Sequence, residues 1–158
     1  FVYPLSSRSN RIVNIGTVMR KLIFLLSALL LCAGCDKNEG EPLDMAEQNR
    51  INNQFLGLWQ EVDHPSSQCT YRGFHSNFKY TSFTLMLYSG DKIPSTYDGK
   101  PYHFEKGPEC SKGTVYTLVV DGKKVSLVCK YKGLLYSWNV GTNPETWVGD
   151  PKYAYERN

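Results

Sequence analysis

Three hydrophobic patterns follow one another along the chain. From Leu22 to Ala33 apolar residues run on with only Ser27 between them. From Asp36 to Asn53, "DKNEGEPLDMAEQNRINN" is polar, charged and free of aromatics. After residue 54, apolar and polar residues alternate in short stretches punctuated by Gly and Pro. An apolar run with no polar face is not one side of an amphipathic helix, the middle stretch suits a solvated tether, and period-two alternation predicts β-strands. Within the tether, Asp44 followed three residues later by Glu47 offers the start of a helix, so its end is expected either in solvent or as a helix packed on the domain.

The clearest strands lie in "TVYTLVVDGKKVSLVCK", residues 114–130, where Asp121-Gly122 fits a two-residue type I′ hairpin. That turn sets Leu118 against Val125 and Tyr116 against Leu127, with Thr117 and Ser126 meeting on the opposite face. A second turn at Lys132-Gly133 sets Cys129 against Tyr136, Leu127 against Trp138 and Val125 against Val140, so one face stays apolar across three strands. Further strands are expected at 55–62, 68–74, 80–88, 101–106 and 146–149. About six to eight short strands in about a hundred residues predict a mainly β chain: a single small antiparallel β-barrel or sandwich over 54–158, after a signal peptide and a polar tether.

The first pattern is an address. Met19, Arg20 and Lys21 precede the apolar run, which at about 1.5 Å of rise per residue falls well short of the ~30 Å hydrocarbon layer. A basic start, a short apolar middle and a small-residue end are those of a secretory signal peptide. "LCAGC", residues 31–35, resembles the lipobox of bacterial lipoproteins, with Cys32 standing where the family pattern usually has Leu. The resemblance implies that residues 1–18 are an upstream leader outside the mature protein and that residues 19–34 are removed as the signal. Cys35 then becomes the lipidated first residue of a tether over 35–53. The product is anchored in the bacterial cell envelope and faces the periplasm. Asp36 is similar to the residue that keeps enterobacterial lipoproteins on the inner membrane. A second start at Met45 would give a minor cytosolic form without the lipid.

Cleavage changes the charge. The chain holds 18 Lys and Arg against 15 Asp and Glu; Arg8, Arg11, Arg20 and Lys21 precede Cys35 and no acid does, leaving 14 basic against 15 acidic residues. A chain so balanced lacks the dense cationic face that nucleic acid demands, and none is expected as a partner. Three cysteines then remain, Cys69, Cys110 and Cys129, of which two should pair in an oxidising compartment. Turn-rich surroundings favour Cys69 with Cys110, and Cys110 with Cys129 is the alternative.

No nucleophile elbow, Cys-x-x-Cys pair, zinc-helix motif or phosphate-cradling loop occurs, so no catalytic residue, cofactor or metal ligand is assigned. His64, His75 and His103 have no ligand spacing, and Glu105 and Glu109 flank a turn and are expected in solvent. Ten tyrosines follow Cys35, more than a small core is expected to bury with every hydroxyl paired. Aromatics beside turn residues in 75–80, 95–104 and 147–156 make Phe78, Tyr80, Tyr97, Tyr102, Tyr153 and Tyr155 candidates for contact with a partner.

Signal, lipobox, tether and one compact domain together resemble the small periplasmic immunity and inhibitor lipoproteins paired with type VI secretion effectors or foreign lysozymes. That resemblance implies a non-enzymatic module whose partner is a protein, in particular a toxin or effector enzyme. Separately, "FLGLWQEV" resembles the Gly-x-Trp opening strand of lipocalin-like barrels, which implies a carrier of a small hydrophobic ligand with Trp59 beneath the calyx. A structural envelope lipoprotein is a third reading. A protein binder should have a filled interior and an exposed aromatic face, whereas a carrier needs an apolar cavity of at least ~300 Å3.

Overall fold

The computed structural model describes residues 43–158, so the expected leader and signal peptide, and the expected lipidation at Cys35, lie outside the described residues. Asp44 is extended and its carboxylate accepts the Glu47 N–H at 2.8 Å, capping helix α1, Met45–Phe55. Gln48, Ile51, Asn52 and Phe55 recur at helical spacing and are all buried. The second half of the expected tether is therefore a helix packed on the strands that follow it.

Nine antiparallel strands follow: β1 Gly57–Glu61, β2 Gln68–Phe74, β3 Tyr80–Met86, β4 Lys92–Pro94, β5 Tyr102–Lys106, β6 Val115–Val120, β7 Lys123–Tyr131, β8 Leu134–Trp138 and β9 Ala154–Arg157. They form one sheet in the order β4-β3-β2-β1-β9-β8-β7-β6-β5. Two local meanders are thus joined through β9. The sheet curls into a half-barrel, as expected for a small antiparallel β-domain. Tyr80 on β3 and Tyr102 on β5 stand far apart in strand order, yet their ring centroids lie 6.1 Å apart. A Lys79–Pro101 bridge and a Tyr102 N–H bond to the Phe78 carbonyl (3.0 Å) join those strands at one end.

The concave face holds the larger core, with α1 packed into it. Phe55 lies 5.6 Å from Phe74 and 5.4 Å from Phe104 between ring centroids, amid Trp59, Tyr102, Leu118, Val128 and Leu135. Trp59, the tryptophan of the Gly-x-Trp stretch, is a core residue whose Nε1 donates to the Phe55 carbonyl at 2.7 Å. Gln48 completes the β5 edge: its Nε2 donates to the Phe104 carbonyl (2.6 Å) and its Oε1 accepts the Phe104 N–H (2.8 Å). A helix side chain thereby takes the place of a neighbouring strand. On the outer face, Leu127, Cys129, Tyr136 and Ala154 pack beneath Trp147 and Val148. The segment at 146–149 is accordingly the end of a 3-10 turn, Pro144–Thr146, and not a strand.

Both hairpin turns match their sequence signals, with positive φ at Asp121 (53°), Gly122 (73°), Lys132 (49°) and Gly133 (84°). Cys129 faces Tyr136 and Leu127 faces Trp138 as the turn dictates, but β8 stops at Trp138, so Val125 has no Val140 opposite. The β6–β7 register departs after two pairs. A bulge at Val125 places Ser126 against Leu118, Leu127 against Thr117 and Val128 against Tyr116. One extra residue moves Leu127 and Cys129 to the outer face and turns Ser126 inward, so β6 is buried on both faces.

The three cysteines among the described residues, Cys69, Cys110 and Cys129, are free thiols. Cys69 is buried in β2, whereas Cys110 packs against the outer cluster that contains Cys129. The neighbour of Cys110 is thus Cys129, the alternative partner, because β2 and β7 are separated by three strands.

Candidate functional site

Within the concave face, the end away from Phe55 is polar. Alternation in "QCTYRGF" places Arg72 on the same side as Phe74, and pairing of β2 with β1 sets it opposite the inward-facing Trp59. The bulge delivers Ser126, and Ser137, opposite Val128 on β8, points the same way. Tyr155 on β9 faces Glu61 on β1. These side chains surround a cavity of about 310 Å3 with Asp63, Lys152 and Tyr153 among its walls.

Arg72 is held without a carboxylate within salt-bridge distance. Its Nη1 donates to the Tyr80 hydroxyl at 3.2 Å, and its guanidinium carbon stands 5.1 Å from the centroid of the Tyr155 ring. Burial alone would lower its pKa, but Tyr80 and Tyr155 more than offset that, so the charge is retained. Burial also pushes the Tyr155 hydroxyl up, against the pull of Arg72, and keeps it protonated at neutral pH. Part of the Arg72 side chain is accessible, but Nε is sealed from solvent with no hydrogen-bond partner. The Ser126 and Ser137 hydroxyls, on residues 3% and 4% exposed, are also sealed and unpartnered. Among the described residues five side-chain N or O atoms are sealed in this way, and three of them belong to this cavity's walls. The other two are Trp147 Nε1 and Glu105 Oε2, the latter only 3.0 Å from Lys124 Nζ.

Larger hollows of about 490 and 750 Å3 flank the loop after β5, and the second is laced by local hydrogen bonds. Glu145 accepts from the Ser111 amide and from its hydroxyl (2.9 Å), which holds the carboxyl below its usual range. Lys112 Nζ donates to the carbonyls of Glu145 and Val148, both at 2.7 Å.

Of the residues expected to face a partner, Tyr80, Tyr102 and Tyr155 are buried. The curl of the sheet turns their strand positions inward, where the Tyr102 hydroxyl donates to Asn52 Oδ1 beside the His75 carbonyl and the Tyr80 hydroxyl accepts from Arg72 Nη1. Phe78 and Tyr97 pack half-buried on the inner core, and Tyr153 packs on the outer one beside Trp138. Only Tyr153 and Tyr155 come together at the cavity. Glu105 also departs from expectation, being nearly buried, with His103 Nε2 3.7 Å away on its other side. His75 is engaged with Thr81 Oγ1 at 2.8 Å.

Of the six exposed large apolar side chains among the described residues, three lie together on the β3–β4 hairpin, Leu87 (42% exposed), Tyr88 (84%) and Ile93 (55%), while Met45, Val62 and Val140 are scattered over the rest of the fold. "LMLYSGDKIP" carries that signal in sequence, as large apolar residues crowded about a Ser-Gly-Asp turn. No protein-family model, no curated protein and no solved structure matches this chain. Fold and site define a helix-plugged antiparallel half-barrel with a polar mouth.

Proposed function

We propose that the chain is a non-enzymatic, lipid-anchored module of the cell envelope that faces the periplasm and grips another protein, neutralising it as an immunity or inhibitor protein does a secreted antibacterial effector. The observation that carries this reading is the hairpin bearing Leu87, Tyr88 and Ile93 outside a half-barrel whose apolar interior is filled by aromatic side chains. Aromatic and branched apolar groups concentrated on one protrusion are the anchors that protein interfaces use. Lys92 and Pro94 blunt the adjacent strand edge, so the partner is met by side chains rather than by strand addition. The partner should offer an apolar hollow with carboxylates near Lys92. A lipid at Cys35 would hold the module at the membrane and raise its concentration where such an effector arrives. The polar lining of the 310 Å3 cavity counts against carriage of a hydrophobic ligand.

The test uses photo-crosslinking from position 88 in the full chain in its own cells, compared with the same chain carrying Ile93→Asp. One protein captured by the first and lost in the second supports the reading. Equal capture by both, or none by either, overturns it. Cys35→Ala should abolish incorporation of labelled palmitate and release the chain from the membrane fraction, and a membrane-bound Cys35→Ala chain would remove the anchor.

A further inference from the structure

The walls of the 310 Å3 cavity differ in what they can offer a ligand. Asp63, Asn139 and Lys152 are exposed, and Glu61, Trp138 and Tyr153 are half-buried, so each has surface to present. The sealed Arg72 Nε and the two serine hydroxyls have none and take no part. Charge among the walls balances, Glu61 and Asp63 against Arg72 and Lys152. The ion pairs among the described residues are Arg50 with Glu47 and His103 and Lys124 with Glu105, so none of these four charges is paired. Opposite charges lining one small space gain by pairing unless a polar medium stands between them. A simple anion in that space would leave Glu61 and Asp63 facing like charge, and a simple cation would do the same to Arg72 and Lys152. A hydroxyl avoids both faults, because one oxygen donates to a carboxylate and accepts from an ammonium.

The aromatic wall narrows the class. Trp138 packs on Tyr153 with ring centroids 4.0 Å apart, and Lys152 Nζ lies 5.5 Å from the Tyr153 centroid. Tyr153 is engaged by both neighbours, which leaves half-buried Trp138 as the apolar wall. An open-chain polyol has no flat apolar side to set against an indole, whereas a pyranose ring has one in its C–H face.

We propose that this cavity binds a neutral pyranose sugar, its C–H face on Trp138 and its hydroxyls shared among Glu61, Asp63, Asn139 and Lys152. A volume of about 310 Å3 takes a single ring and lies at the low end of the range for ligand sites. The site uses none of Leu87, Tyr88 and Ile93, and the sugar binds without any protein partner.

The experiment is titration of the purified full chain with glucose, galactose and N-acetylglucosamine, followed by tryptophan fluorescence and saturation-transfer NMR, alongside glucuronate, galacturonate, glucosamine and sorbitol. At least one neutral sugar should saturate the chain, with sorbitol and the charged sugars weaker by about fivefold or more. Trp138→Ala should abolish saturation. Because Trp138 also rests on the outer cluster, Asp63→Ala and Lys152→Met supply the second measurement at exposed positions. Each should weaken binding by about threefold or more while the thermal midpoint is kept. No saturation by any neutral sugar, a charged sugar or sorbitol binding as well as the best of them, or unchanged affinity in either exposed variant would each overturn the proposal.

Discussion

The two ends of the concave face are built by the same alternating strands and treat their polar groups in opposite ways. At the helix end, Gln48, Asn52, Trp59 and Tyr102 are buried and each is hydrogen-bonded to a named partner. At the mouth, Arg72 Nε, Ser126 and Ser137 are sealed with none. Sealing with pairing is what a fold does for stability. Sealing without it lowers stability, and such costs concentrate where a molecule must meet something else. The helix end therefore adds to stability and the mouth subtracts from it, on one continuous surface.

Substitutions at the two ends should separate by size. Phe55→Ala empties the centre of the aromatic cluster and should cost about 3–5 kcal/mol in urea unfolding, the range for a fully buried phenylalanine; a loss below about 1 kcal/mol would show that the plug is dispensable. The outer face offers the next contrast. Exchange with oxidised glutathione should link Cys110 to Cys129, releasing two glutathione thiols per bridge and adding about 3 kcal/mol for a loop of this length, while Cys69 stays alkylatable after unfolding. A Cys69-containing bridge in the peptide map would refute it. In the reduced protein, burial first and the Cys110 sulfur second push the Cys129 thiol up to about 11 from 9.0. The folded state therefore holds that proton more tightly. The contribution is fully present below pH 9 and is lost as pH rises through 11, so Cys129 alkylation should accelerate only as that pH is approached.

Gln48→Ala comes third. It leaves the Phe104 N–H and carbonyl unpaired beside the core and should cost about 1–3 kcal/mol, with faster hydrogen exchange at the Phe104 amide. Smallest of all, Ser126→Ala or Ser137→Ala should change stability by less than about 1 kcal/mol, in the stabilising direction, because the lost hydroxyl had no partner to leave behind. A loss of several kcal/mol there would make the two ends alike and dissolve the comparison.

What the sequence discloses follows the range of each interaction. Asp121-Gly122 and Lys132-Gly133 announce their turns because positive φ at both positions is a local demand. Asp44 and Glu47 likewise declare the helix start. The bulge at Val125 has no such local signature in "KVSLV", and one extra residue there sends Ser126 to the concave face and Leu127 to the outer one. β9 was invisible for another reason: its partners β1 and β8 make it a strand, and "AYER" alone does not. Tyr80, Tyr102 and Tyr155 lie inside rather than at a partner's face because alternation tells which residues share a face but not which face the sheet will curl around. Arg72 could be read as sharing a face with Phe74, and only the curl shows that this face is the inside.

That strand has a consequence in time. Apart from the Lys79–Pro101 bridge, β9 supplies the backbone pairing between the meander of β1–β4 and that of β5–β8. Each meander can zip from its own hairpins, but Trp59 cannot find Arg157 opposite it until nearly a hundred intervening residues have been made and gathered in. Contacts so distant along the chain form slowly. Until they do, β1 and β8 are raw edges and the mouth does not exist. A polypeptide whose final seam waits for residues 154–157 keeps its two halves unjoined until β9 arrives to lace them together.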